Sequence, residues 1–112
     1  MDIVFGSSKL KKELSDEKSR IKRYGPRRAM LIQRRLDELR AAEVLEDLRH
    51  LPGPRCHELK ANRKGQLSLD LDHPFRLILE PIDEPVPVKR DGGLDWEQVY
   101  AVRILEVVDT HG

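Results

Sequence analysis

Residues 55–81 read RCHELKANRKGQLSLDLDHPFRLILEP, and the alternation in the second half of this stretch decides the fold class. Leu67, Leu69 and Leu71 alternate with Gln66, Ser68, Asp70 and Asp72, the two-residue period of a strand with one buried and one wet face. Asp72-His73-Pro74 supplies a turn, and Phe75 to Leu79 forms a second, more apolar strand that Arg76 interrupts. The basic glycine turn Arg63-Lys64-Gly65 lies ahead of the first strand, with His57 and Lys60 before it. Two strands joined tightly and preceded by a turn predict antiparallel sheet in this half of the chain.

The pattern changes upstream. Ile3-Val4-Phe5 reads as a short opening strand ended by Gly6-Ser7-Ser8, and Ser8 is the expected N-cap of a helix with Leu10, Leu14 and Ile21 on its apolar side. Tyr24-Gly25-Pro26 breaks it, with Pro26 placed for the first turn of a second helix. In that helix Ala29, Ile32, Leu36 and Leu39 recur at spacings of three and four, while Arg27, Arg28, Arg34, Arg35 and Arg40 lie around the rest. Val44, Leu45 and Leu48 extend it, and Leu51-Pro52-Gly53-Pro54 stops it. Downstream, residues 82–96 are polar and rich in Pro and Gly, which predicts an extended hairpin loop with no core of its own. Val99 to Val108 makes a last strand. The expected order is β-α-α-β-β-β, an α+β fold with two N-terminal helices packed on a small antiparallel sheet, within a single domain over 1–112.

Composition bounds what such a domain does. Of 112 residues, 38% are hydrophobic and 37% charged, which suits a small soluble protein with a thin core. No apolar run approaches the roughly 20 residues that cross a bilayer, and Met-Asp-Ile-Val-Phe lacks the basic start and apolar stretch of a signal peptide. The one cysteine, Cys56, rules out an internal disulfide and fits the cytoplasm; without CxxC or HxxxH spacing it makes no zinc site, so neither metal nor other cofactor is expected. Cys56 is expected as a small buried residue in a loop. Net charge is +1, but it is unevenly spread: residues 1–64 hold 17 Lys/Arg against 10 Asp/Glu, and residues 65–112 hold 4 against 10. A basic half suits an anionic partner such as a nucleic acid backbone, and equally suits solvated helix faces.

The chemistry that these residues support is RNA cleavage. It needs a base for the ribose 2′-hydroxyl, cations for the phosphorane-like charge, and an acid for the leaving oxygen. Imidazoles handle protons in both directions near neutrality, and His57 and His111 are the two candidates. Lys60 and Arg76, with Arg63 and Lys64 nearby, are the candidates for charge stabilisation. His57 and Lys60 are three residues apart, so one helical turn or tight loop would set them on the same side. Asp109, two residues before His111, is placed to orient an imidazole or a guanidinium. His50 and His73 have turn or loop explanations and are left out. Arg76 weighs most, because an arginine in an apolar strand must pair, snorkel or face a cleft.

Together these residues resemble the RelE/HigB family of bacterial toxins from type II toxin–antitoxin systems, closest to the HigB-type plasmid maintenance killers. That branch carries a segment H-x-L-K-[GA]-[DN]-R-x-G-x-x-S, which stands here as His57-Glu58-Leu59-Lys60-Ala61-Asn62-Arg63-Lys64-Gly65-Gln66-Leu67-Ser68. The family's later strand with an arginine after an aromatic is matched by Phe75-Arg76-Leu77-Ile78, and its acidic–Tyr–His tail by Asp109-Thr110-His111, with Thr110 where the family has tyrosine. The resemblance implies a RelE-like fold and a ribosome-dependent mRNA endonuclease. It also implies an active site of His57, Lys60, Arg76, Asp109 and His111, and a helix-turn-helix antitoxin bound as a hetero-oligomer. Two other readings stay open: a non-catalytic ParE-like inhibitor of gyrase, and a catalytically degenerate toxin-fold interaction protein, including one labelled a killer suppression protein.

Overall fold

The computed structural model describes residues 1–109. Strand β1 (Asp2–Phe5) opens the chain, and Ser7, one residue ahead of the expected cap, starts the first helix by accepting the Leu10 N–H at 3.1 Å. Where one helix was expected there are two, α1 (Ser8–Ser15) and α2 (Glu17–Tyr24). Asp16 divides them. Its backbone is extended (φ −95°, ψ 123°), and its carboxylate accepts the Ser19 N–H at 2.9 Å and hydroxyl at 2.7 Å. These bonds favour the carboxylate and hold Asp16 below its ordinary pKa. The same residue thus ends α1 and caps α2. Gly25, at φ +82°, supplies the turn into α3 (Pro26–Ala41), with Pro26 at its first position as expected.

Helix α3 buries Ala29, Ile32, Leu36 and Leu39, the stripe its periodicity predicts. It also buries Arg35, expected among the solvated arginines. The guanidinium is accommodated because fixed acceptors meet it: the Asp70 carbonyl at 2.6 Å, the Gly53 carbonyl at 3.1 Å and the Glu38 carboxylate at 2.9 Å. Buried Arg20 does the same between helices, donating to the Leu14 and Ala29 carbonyls at 2.8 and 3.2 Å. Leu45 and Leu48 reach the core from a separate 3-10 turn, Leu45–His50, rather than from an extension of α3.

The sheet has five strands, not the four expected: β2 (His57–Glu58), β3 (Leu67–Asp70), β4 (Phe75–Pro81) and β5 (Ala101–Asp109) join β1 in the order β1-β5-β4-β3-β2. The additional strand is the segment bearing His57, which pairs with Ser68, while Glu58 pairs with Leu67. β1 runs parallel to β5 and the other neighbours are antiparallel. Pleat alternation sends Leu67, Leu69, Leu77, Leu79, Val102 and Ile104 toward the helices, where they form the core with Leu14, Ile32, Leu36 and Leu39. His57, Ser68, Asp70, Arg76, Ile78 and Glu106 fall on the other face.

The 82–96 segment is a hairpin-like excursion, with Val88 bridged to Leu94, but it does carry core. Trp96 is buried, its Nε1–H donates to Glu58 at 3.0 Å, and the Arg49 guanidinium lies 3.9 Å from the ring centre. An indole offers too much apolar surface to leave in water when a polar edge can reach an acceptor. Cys56 is half-buried between these elements.

Candidate active site

On the outer face of the sheet, three adjacent strands bring His57, Ser68, Asp70 and Arg76 together. The turn around His73 sets the register that pairs Asp70 with Arg76, and the β2–β3 pairing then sets His57 against Ser68. Arg76 Nη1 approaches His57 Nε2 at 3.3 Å and Asp70 Oδ1 at 3.6 Å. On its other side, His57 Nδ1 lies 2.9 Å from the Arg55 carbonyl. Ser68 Oγ is buried and sits 3.3 and 3.5 Å from the two ring nitrogens, so it packs against the ring instead of making one directed bond.

The partners determine the tautomer. A carbonyl oxygen only accepts, so Nδ1 must carry the hydrogen; a guanidinium only donates, so Nε2 must present its lone pair. In its neutral form the His57 ring therefore presents the Nε2 lone pair to a fixed cation.

Other expected residues lie apart from this pair. From His57 to Lys60 the chain is extended, with Leu59 N–H continuing the ladder to the Gln66 carbonyl and Lys60 at φ −123°, ψ 179°. The helical turn that would align the two residues is not formed, and Lys60 stands exposed roughly 10 Å along the strand. Lys60 and Lys64 line one shallow hollow with Glu58 and Leu59. Arg63 reaches across the sheet over Ile78, donating to Gln66 at 2.9 Å and to Glu106 at 3.3 Å. Asp109 ends β5 opposite Phe75, on the pleat of Leu77 and Val107 that faces the helices, whereas Arg76 faces outward opposite Val108. Thr110 and His111 lie outside the described residues.

Sequence reasoning missed Asp70, Ser68 and Arg55. Asp70 forms a two-point pair with Arg55, at 2.8 Å to Nε and 3.3 Å to Nη2, and so lies between two guanidiniums. The signal was available: the strand alternation puts Ser68 and Asp70 on the wet face, and counting back from the turn pairs Asp70 with Arg76. Among the described residues no three His, Cys, Asp or Glu side chains cluster as a metal site, and no helix is long and apolar enough to cross a membrane.

No curated protein matches the chain. A family model described as the RelE-like toxin of type II toxin–antitoxin system HigB matches residues 4–87. The match takes in the three helices and strands β2 to β4, with His57, Lys60, Arg63, Lys64 and Arg76, and stops short of β5. The chain therefore belongs to the HigB-like toxin family, the RelE-like toxins of type II toxin–antitoxin systems.

Proposed function

We propose that this toxin is an mRNA endonuclease that acts on the ribosome, with His57 and Arg76 at the cleaved phosphodiester. The observation that carries the reading is the 3.3 Å approach of a lone-pair imidazole nitrogen to a guanidinium on the face of the sheet turned away from the helices. Attack by a ribose 2′-hydroxyl needs a base and a phosphate ligand side by side, and a guanidinium binds two phosphate oxygens better than one imidazole nitrogen. Incoming phosphate draws Arg76 onto itself and uncovers Nε2. Nε2 then takes the 2′-hydroxyl proton, the 2′-oxygen bonds to phosphorus, and the bond to the 5′-oxygen breaks to leave a 2′,3′-cyclic phosphate. Arg76 offsets the charge that builds on the phosphoryl oxygens, and Lys60, farther along the chain, adds positive charge for the flanking RNA backbone. The leaving oxygen takes its proton from a second acid, and His111 is the imidazole assigned to it, with Asp109 as its neighbour in sequence.

Family membership implies a protein antitoxin. In this reading that antitoxin is a helix-turn-helix protein that binds the toxin as a hetero-oligomer, and the substrate is mRNA in the decoding site. Induction of the chain in bacteria tests the proposal. Growth arrest with cuts in translated regions of mRNA is expected. His57→Ala or Arg76→Ala should each lower the cleavage rate on the order of 100-fold, and His111→Ala should relieve the arrest. Variants as toxic as the parent, with gyrase-linked DNA breaks and intact mRNA, would instead support the inhibitor reading and sink this one.

A further inference from the structure

Arg55 has φ +44°, a left-handed conformation that a residue with a Cβ rarely adopts and that persists only where its surroundings impose it. Asp70 imposes it from three directions. Its N–H donates to the Pro54 carbonyl at 2.7 Å, its carboxylate takes the Arg55 guanidinium, and its own carbonyl accepts from buried Arg35 at 2.6 Å. Arg35 in turn reaches the Gly53 carbonyl at 3.1 Å. The segment 53–55 is thus fastened to β3 and α3 by one aspartate and one buried arginine. Its outcome is the direction of a single group, the Arg55 carbonyl, which meets His57 Nδ1 at 2.9 Å.

We propose that Asp70 is a positioning residue for the His57–Arg76 pair: through Arg55 it holds the carbonyl that keeps the hydrogen on His57 Nδ1, and its Oδ1 steadies Arg76 from the other side. Asp70 touches no reacting atom. The two guanidiniums beside its carboxylate also offset a negative charge that lies next to a site for phosphate. The catalytic meaning of this assignment rests on the nuclease reading; the tautomer itself does not.

Long-range ¹H–¹⁵N NMR of the full-length chain, at a pH where His57 is neutral, reports which ring nitrogen bears the hydrogen. D70N keeps the shape and the backbone bonds but replaces an acceptor oxygen with a donor. R55G removes the guanidinium and the left-handed strain together and leaves Asp70 in place, so it tests the same link by a second route. The wild type is expected as the single Nδ1–H tautomer, and both variants as mixtures. In ribosome-bound mRNA cleavage, D70N should lose on the order of 10-fold in kcat, with the half-saturating ribosome concentration changed by less than about twofold, and D70E should recover part of the rate. An unchanged tautomer in both variants overturns the proposal whatever the rates. Shifted tautomers in variants of a wild type that cuts no mRNA would keep the positioning role and remove the nuclease reading instead.

Discussion

Cys56 shows how one residue's environment turns into measurable behaviour. Burial, partly offset by Arg49 and reinforced by Glu58, pushes its thiol from an ordinary 9.0 to about 12. The nucleophile in thiol chemistry is the thiolate, so the native chain should react with iodoacetamide at pH 8 far more slowly than the urea-unfolded chain. The same shift ties folding to alkaline pH. The folded thiol keeps its proton where the unfolded one has lost it, so its contribution to stability is complete below about pH 9 and drains away toward pH 12. Cys56→Ser should flatten that alkaline slope in urea midpoints measured across the range. An equal reaction rate in folded and unfolded chains would show that the thiol is not shielded.

At the scale of elements, the joint between the 82–96 excursion and the sheet is the Trp96 indole. It fills space beside the Leu45–His50 turn, stacks under Arg49 and ties to Glu58 on β2. Glu58 is the neighbour of His57 on the opposite pleat, so Trp96 secures from below the strand that carries the candidate base from above. Trp96→Ala should cost about 3–5 kcal/mol through the cavity it leaves. Trp96→Phe should cost less, on the order of 1 kcal/mol of hydrogen bond with some loss of volume. Both should lower the urea midpoint with the slope m unchanged, since the surface exposed on unfolding hardly differs. A neutral Trp96→Ala would mean that the excursion is not coupled to the sheet.

For the whole molecule, charge is the property that matters at a distance. The basic residues concentrate before residue 65, and acidic residues outnumber them after it, so the helices and the turn after β2 carry most of the positive charge. If ribosomal RNA is the partner, each phosphate neutralised releases counterions, and affinity falls linearly with salt on a logarithmic scale at about 0.7–0.9 per contact. Raising salt from about 50 to 200 mM should therefore weaken ribosome association by orders of magnitude for six or more contacts. Binding that ignores salt would leave the charge asymmetry without a nucleic-acid role. Association measured by pelleting with ribosomes decides it.

How much of this was legible in advance varies with the range of the forces involved. The strand alternation over 66–72, the apolar stripe of α3 and the break at Gly25-Pro26 are local patterns, and they were sufficient for an α+β fold with helices before sheet. The split at Asp16 was harder to read, because an aspartate in a helical pattern declares itself as a cap only when Ser19 completes the bonds. His57 and Arg76 could be picked out as candidates from residue type and spacing, and the structure sets them 3.3 Å apart. What depended on tertiary structure was which side chains share a face. Pleat direction and register put Asp70 and Arg55 beside Arg76, turned Asp109 to the helix side, and drew His57 into an extended strand away from Lys60. Register is a property of pairs of segments and follows from burying one face of each strand, whereas residue type and local spacing belong to one segment at a time.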